Sequence, residues 1–157
     1  MSALKKKVLV LGVGNILCRD DGLGPVVVRR LEQRCSLPGV DFLDGGTLGL
    51  DLLAYLDGYS HLVLVDAVDL GRQPGQIFRW EEVQPDLLSR QVSFHQVGVR
   101  ELLTAAKLLG HRFRVTCFGV QAADLSWGME LSPPVAEALP ALEEAVLREL
   151  QRLTGSG

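Results

Sequence analysis

The stretch "KVLVLGVGNILCRDDGLGPVVVRRLEQRC" (7–35) decides the fold. Its opening run, "KVLVLG" (7–12), is short, rich in valine and leucine, and ended by glycine. An apolar run of that length without alternation reads as a strand buried on both faces, hence a central one. Beyond it, "LGPVVVRRLEQRC" (23–35) sets Val26, Val27 and Leu31 against Arg30 and Arg34 at helical spacing, with Pro25 tolerated in the first turn. The stretch is therefore a strand, a loop and a helix. The loop poses a chemical question. A "GxG" turn between strand and helix commonly cradles phosphate, yet here Asp20 and Asp21 follow it.

Working outward, the unit repeats. "VDFLDGG" (40–46) reads as a strand, "LGLDLLAYL" (48–56) as a helix and "HLVLVDAV" (61–68) as another apolar strand. Parallel neighbours need crossovers long enough to return over the sheet, and this alternation supplies them. "GQIFRWEEV" (75–83) alternates more clearly and is expected at an edge, where an antiparallel strand fits. "HQVGVRELLTAAKLLG" (95–110) carries Val97, Leu102, Leu103, Ala106 and Leu109 on one side and leads into the strand "FRVTCFGV" (113–120). "SPPVAEALPALEEAVLRELQRL" (132–153) opens with Ser132 as N-cap and Pro133 at the first helical position. Val135, Leu139, Leu142, Val146 and Leu150 continue one stripe, with a kink expected at Pro140. The expected fold is α/β, a three-layer sandwich in which a mostly parallel five-stranded sheet carries helices on both faces. One domain over residues 1–157 accommodates it, because a chain of 157 residues can bury about 70% of its unfolded surface.

Composition excludes several classes of function. With 47% hydrophobic and 22% charged residues and a formal charge of −3, nothing attracts the chain broadly to nucleic acid or anionic lipid. No stretch reaches the roughly 18 apolar residues that span a bilayer. The basic then apolar start resembles a signal peptide, but the apolar run stops at Gly12 and Asn15 without a cleavage site. Cys18, Cys35 and Cys117 form no CxxC pair, and an odd count favours a reducing compartment, so the cytoplasm is expected.

In an open α/β sheet, ligands sit outside the carboxyl ends of the strands. Asp20 and Asp21 follow the first strand, Asp44 ends the second, Asp66 ends the third, and His95 opens a helix. A dinucleotide site fits poorly. The fingerprint's third glycine is Leu17 here, and two carboxylates stand where a pyrophosphate would come. A cation fits better: Asp21, Asp66 and His95 offer two carboxylate oxygens and an imidazole nitrogen, a set suited to nickel, zinc, manganese or iron(II). Taken alone, a strand-end Asp also caps helices and a His before a helix also satisfies backbone groups, so the residues leave both readings open. Nucleophilic catalysis has little support. There is no GxSxG elbow, Cys18 stands beside two carboxylates that disfavour a thiolate, and Cys35 and Cys117 lie in apolar patterns expected in the core. His61 and His111 precede strands and are expected at boundaries or on the surface.

The order of "GVGNILCRDDGLG" (12–24), "DGGTLGLDLL" (44–53), "DAV" (66–68), "HQVG" (95–98), "CFGVQ" (117–121) and "LSPPVAEALP" (131–140) resembles the hydrogenase maturation endopeptidases over nearly the whole chain. These enzymes trim the C-terminal extension of a [NiFe]-hydrogenase large-subunit precursor after nickel insertion. The resemblance implies the five-stranded sandwich and assigns Asp21, Asp66 and His95 as the metal-contacting set shared with catalysis. Some members carry Glu at the first position, one methylene longer than Asp21. The resemblance further implies that nickel arrives with the precursor, that no organic cofactor is needed, and that the three residues sense the inserted nickel.

Asp44, Gly45, Gly46 and Thr47 are expected as substrate contacts, since the glycines let an extended backbone approach closely. The competing reading is a tight turn with Thr47 capping the next helix. Two rival functions stand on the same residues: a metallohydrolase with its own ion, and a non-enzymatic nickel chaperone. No large exposed apolar stripe is expected, and a monomer is the default.

Overall fold

All six residues of Val8–Val13, strand β1, are buried, and a strand buried on both faces must have neighbours on both sides. The computed structural model describes residues 7–81 and 94–155, with Val99 the single described side chain between residues 94 and 100. Strands β2 (Val40–Gly46) and β3 (His61–Val68) flank β1, both parallel to it. Strand β5 (Arg114–Gln121) continues the sheet parallel to β3, and β4 (Ile77–Glu81) closes it antiparallel to β5. The order is β2-β1-β3-β5-β4. The two edge strands are part-exposed along most of their length, whereas β3 and β5 are uncovered only at their first residues; for β4 this is what the alternation of 75–83 leads one to expect.

Alternate residues of each strand face opposite layers. Val8 and Val10 of β1 and Val63, Val65 and Ala67 of β3 meet helix α1 (Leu23–Arg34) and helix α3 (Pro133–Thr154) in one core. Leu9, Leu11, Val13, Leu62 and Leu64 meet Leu52 and Leu56 and helix α2 (Phe94–Leu108) in the other. Each fully buried Leu or Val contributes about 1.5–3 kcal/mol, so the alternation fixes which face each strand residue takes. The predicted stripe of α3, from Val135 to Leu150, is buried throughout. The same helix runs on through Pro140. The basic face of α1 also has a structural use: Arg30 and Arg34 both pair with Glu143 of α3, which is 1% exposed, the Arg30 contact measuring 2.6 Å.

Four local expectations are corrected. Residues 48–56 form a 3₁₀ helix, Gly49–Tyr55, rather than an α-helix. Gly49 sits at φ +56, and only Leu52 within that segment is buried, too little apolar surface to hold a longer helix. Leu109 is 66% exposed, one residue past the end of α2 and next to Leu108, which is 83% exposed, so the buried stripe of this helix stops at Ala106. Cys35, at the end of α1, is only partly buried, whereas Cys117 lies in the core. Ser132 occupies the N-cap position of α3 but makes no side-chain cap; its hydroxyl is engaged elsewhere.

Candidate functional site

The glycines of the β1–α1 connection serve packing. A Cβ on Gly24 would stand 2.4 Å from the Val65 carbonyl oxygen and 2.5 Å from that of Val13, and one on Gly12 would stand 2.3 Å from the Gly24 carbonyl oxygen. Glycine thus lets the start of α1 lie against the backbones of β1 and β3. Gly14, at φ +140, donates its N–H to the Gly46 carbonyl at 2.9 Å, tying this connection to the loop after β2. The Asn15 carboxamide oxygen accepts from the Leu17 N–H at 2.9 Å, a bond across its own turn. These contacts fold the "GxG" onto protein backbone and leave the two aspartates at the carboxyl end of the sheet.

The adjacent aspartates differ. Asp20 is fully buried and accepts four hydrogen bonds: from the N–H groups of Ala123 (2.8 Å), Asp124 (2.9 Å) and Ser132 (2.7 Å), and from the Ser132 hydroxyl (2.8 Å). Its partners lie more than a hundred residues along the chain, so it is a long-range clasp rather than a local cap. Asp21, 8% exposed, receives the Asn15 N–H at 3.2 Å. It lies in a 3₁₀ turn, Arg19–Gly22, packed against β3.

Asp66 is 3% exposed and sits opposite Gly119 of β5. Strand alternation gives it the face of Leu62 and Leu64, the side covered by α2. Burial pushes the Cys117 thiol up, and the charge of Asp66 pushes it further. That cysteine is not a nucleophile. β1 leads to β2 on one side and neighbours β3 on the other, so Asp21 and Asp66 flank the switch point at which open α/β sheets bind ligands. His95 lies in the first turn of α2; its side chain falls outside the described residues. Among those residues, no three His, Cys, Asp or Glu side chains form a group able to hold a metal.

The sequence model of the hydrogenase maturation protease family matches residues 25–149. The chain belongs to that family. It is 42% identical over 151 residues to the hydrogenase 2 maturation protease of Escherichia coli K12, covering 91% of this chain and 92% of that one. It is 38% identical over 150 residues to the hydrogenase expression/formation protein HupD of Rhizobium leguminosarum, covering 92% and 74% respectively. The solved structure of the hydrogenase maturating endopeptidase HybD from E. coli superposes with a TM-score of 0.87 at 35% identity, covering 93% of each chain. The fold expected from the resemblance is the fold observed, and the protein is a peptide hydrolase of this family.

Within this maturation protease, the second glycine loop is built inward. Asp44 pairs with Arg29 at 2.7 Å and accepts the Gly46 N–H at 3.0 Å. Gly45 is buried, with Leu11 and Leu52 filling the space a side chain would take. Thr47 is exposed, and the N-cap of the 3₁₀ helix is Leu48, so Thr47 does not cap it. Two organising residues escaped the sequence reading. One is the Asp20 clasp. The other is Gln121, 3% exposed, whose carboxamide accepts from Leu70 and Arg72 N–H groups and donates to Asp69, fixing the chain that leaves β3 just beyond Asp66. A polar residue closing an apolar strand is the one signal that could have marked it. A cavity of about 460 Å³ lies at the opposite, amino end of the sheet, where His61, Glu81, Arg114 and Arg152 line it, away from the aspartates.

Proposed function

We propose that this maturation protease removes the C-terminal extension of a [NiFe]-hydrogenase large-subunit precursor after nickel insertion, acting as a monomer in the cytoplasm. Asp21, Asp66 and His95 contact the nickel that the precursor carries, and the enzyme holds no metal or organic cofactor of its own. The observation that carries this reading is the pair of buried carboxylates at the carboxyl ends of the adjacent strands β1 and β3. Two such groups at one switch point repel each other, and an arriving cation relieves that repulsion. An imidazole at the start of α2 completes a donor set suited to nickel. The nickel is thus a signal that the precursor is ready for cutting, and once bound it can also polarise a nearby carbonyl. Asp44, Gly45, Gly46 and Thr47 contribute by shaping the loop beside the entering chain, with Thr47 the exposed contact.

The test incubates the protein with nickel-loaded and nickel-free precursor and follows mass by mass spectrometry. The expected result is loss of the C-terminal peptide from the loaded form alone. No loss from the loaded form overturns the protease assignment, and equal cutting of both overturns nickel sensing.

A further inference from the structure

The loop between β5 and α3 presents Trp127 and Met129, 76% and 74% exposed, beside Leu17 and Ile16, 47% and 37% exposed. Single exposed apolar residues need no explanation, but these four come from two segments held together by backbone bonds. Gly128 bridges to Cys18, the Gly128 N–H donates to the Leu17 carbonyl at 2.8 Å, and the Arg19 N–H donates to the Gly128 carbonyl at 2.8 Å.

The loop is rigidly held as well as exposed. Asp20 takes the N–H groups of Ala123 and Asp124. The Asp124 carboxylate takes the N–H and hydroxyl of Ser126 at 2.9 and 2.5 Å. The Arg19 guanidinium lies across Gly128 so closely that a Cβ there would come within 2.6 Å of it. Arg19 is also the one non-glycine residue at positive φ, +47, among those described, a conformation that costs on the order of 1 kcal/mol. Local strain at Arg19, two residues before Asp21, thus accompanies the contacts that hold Trp127 and Met129 out into solvent.

We propose that Trp127, Met129, Leu17 and Ile16 form a preorganised apolar platform that docks an extended apolar stretch of the polypeptide substrate beside Asp21 and Asp66, an inference resting on the protease reading above. Area favours this occupant over a second copy of the chain. Four part-exposed side chains offer a few hundred Å², short of the roughly 800 Å² per partner that a stable dimer buries, yet enough for a peptide segment. Position favours it too, because a chain reaching the switch point between β1 and β3 passes the Arg19–Gly22 turn to which the platform is bonded. A rigid Trp with few rotatable bonds binds at low entropic cost, which is why such residues dominate binding energy at interfaces.

The test compares wild type, Trp127→Ala, Trp127→Ala/Met129→Ala, Asp21→Asn and Leu108→Ala, the last removing an 83% exposed leucine at the far end of α2. Cleavage kinetics and direct binding are both measured with the nickel-loaded precursor. The platform variants are expected to raise KM and Kd at least about tenfold, with kcat within twofold and circular dichroism unchanged. Leu108→Ala is expected to match wild type. Unchanged KM and Kd in the double variant overturn the platform even if Asp21→Asn is inactive, whereas full activity of Asp21→Asn overturns the site reading alone. A wild type that neither binds nor cuts the precursor overturns both. A wild-type dimer in sedimentation that Trp127→Ala converts to monomer overturns the platform in favour of self-association.

Discussion

Asp20 and Ser132 are 112 residues apart in sequence and joined by two hydrogen bonds, the Ser132 N–H and hydroxyl each donating to the Asp20 carboxylate, at 2.7 and 2.8 Å. The pair fastens the start of α3 to the loop after β1, and the hydroxyl that would cap the helix is used for the fastening. Asp20→Ala removes the buried acceptor shared by the N–H groups of Ala123, Asp124 and Ser132, residues that are themselves only partly covered. Each such loss costs about 1–3 kcal/mol, so urea denaturation is expected to reveal a loss of at least about 3 kcal/mol. Asp20→Asn keeps one carboxamide oxygen as an acceptor and is expected to lose less. A loss under about 1 kcal/mol for Asp20→Ala shows that the clasp is dispensable.

The neighbouring aspartate is expected to behave in the opposite way. Asp21→Asn and Asp66→Asn remove charge from the switch point while keeping side-chain volume. Each is expected to lower cleavage of nickel-loaded precursor at least about 100-fold, the usual scale for a group that acts in the reaction, with the urea midpoint changed far less than in Asp20→Ala. Mass spectrometry of timed digests reads the rate. If Asp20→Asn lost catalysis per folded molecule as severely as Asp21→Asn, the division of labour between the two would be wrong.

That division marks the limit of what the sequence discloses. The buried strands β1 and β3, the helix α1 and the stripe of α3 were legible because each is a local periodic pattern with a glycine, proline or polar boundary. The edge position of β4 was legible from its alternation. The 3₁₀ helix at Gly49–Tyr55 was not, since its leucines suit an α-helix and only the fold shows how few of them are covered. The candidate site was legible as a set of acidic strand ends, because the carboxyl end of a parallel sheet is where ligands go. The role of Asp20 was illegible in principle: its partners are backbone N–H groups of a distant loop, which leave no trace in the local sequence. Asp44 was read for its position after a strand, but its pairing with Arg29 depends on how α1 lies beside β2.

The closeness of Gly24 to two strands gives a sharp steric test. Its Cβ would meet backbone carbonyl oxygens of Val65 and Val13, which cannot move without shifting β3 and β1. Gly24→Ala is therefore expected to destabilise by about 3 kcal/mol or more, at or beyond the upper end of overpacking costs. Gly58→Ala is the control: nothing lies within 4 Å of its Cβ, but φ is +88, so about 1–2 kcal/mol is expected from backbone strain alone. Thermal and urea unfolding of the two variants check the ranking, and equal costs would mean that the α1 start has room to withdraw from the sheet.

His61 links stability to pH at the amino end of the sheet. Its ring Nε2 lies 2.9 Å from the Thr116 hydroxyl oxygen. Burial is the main cause holding its pKa below the ordinary histidine value; Arg114 and Arg152 lower it further, and Glu149 and Glu81 oppose them. In the unfolded chain the ring titrates near about 6.5. As pH falls through that value the unfolded state takes up the proton first, so it binds more protons than the folded state and stability declines. The contribution of neutral His61 is thus fully present above about pH 6.5 and is lost as pH falls toward the lower folded value. His61→Gln keeps a polar partner for Thr116 but cannot titrate. Urea midpoints of wild type and variant at several pH values between about 5 and 8 are expected to show wild type losing ground to the variant as pH falls, the other titrating groups cancelling in the difference. A difference that stays constant with pH would show that His61 binds its proton equally well in both states.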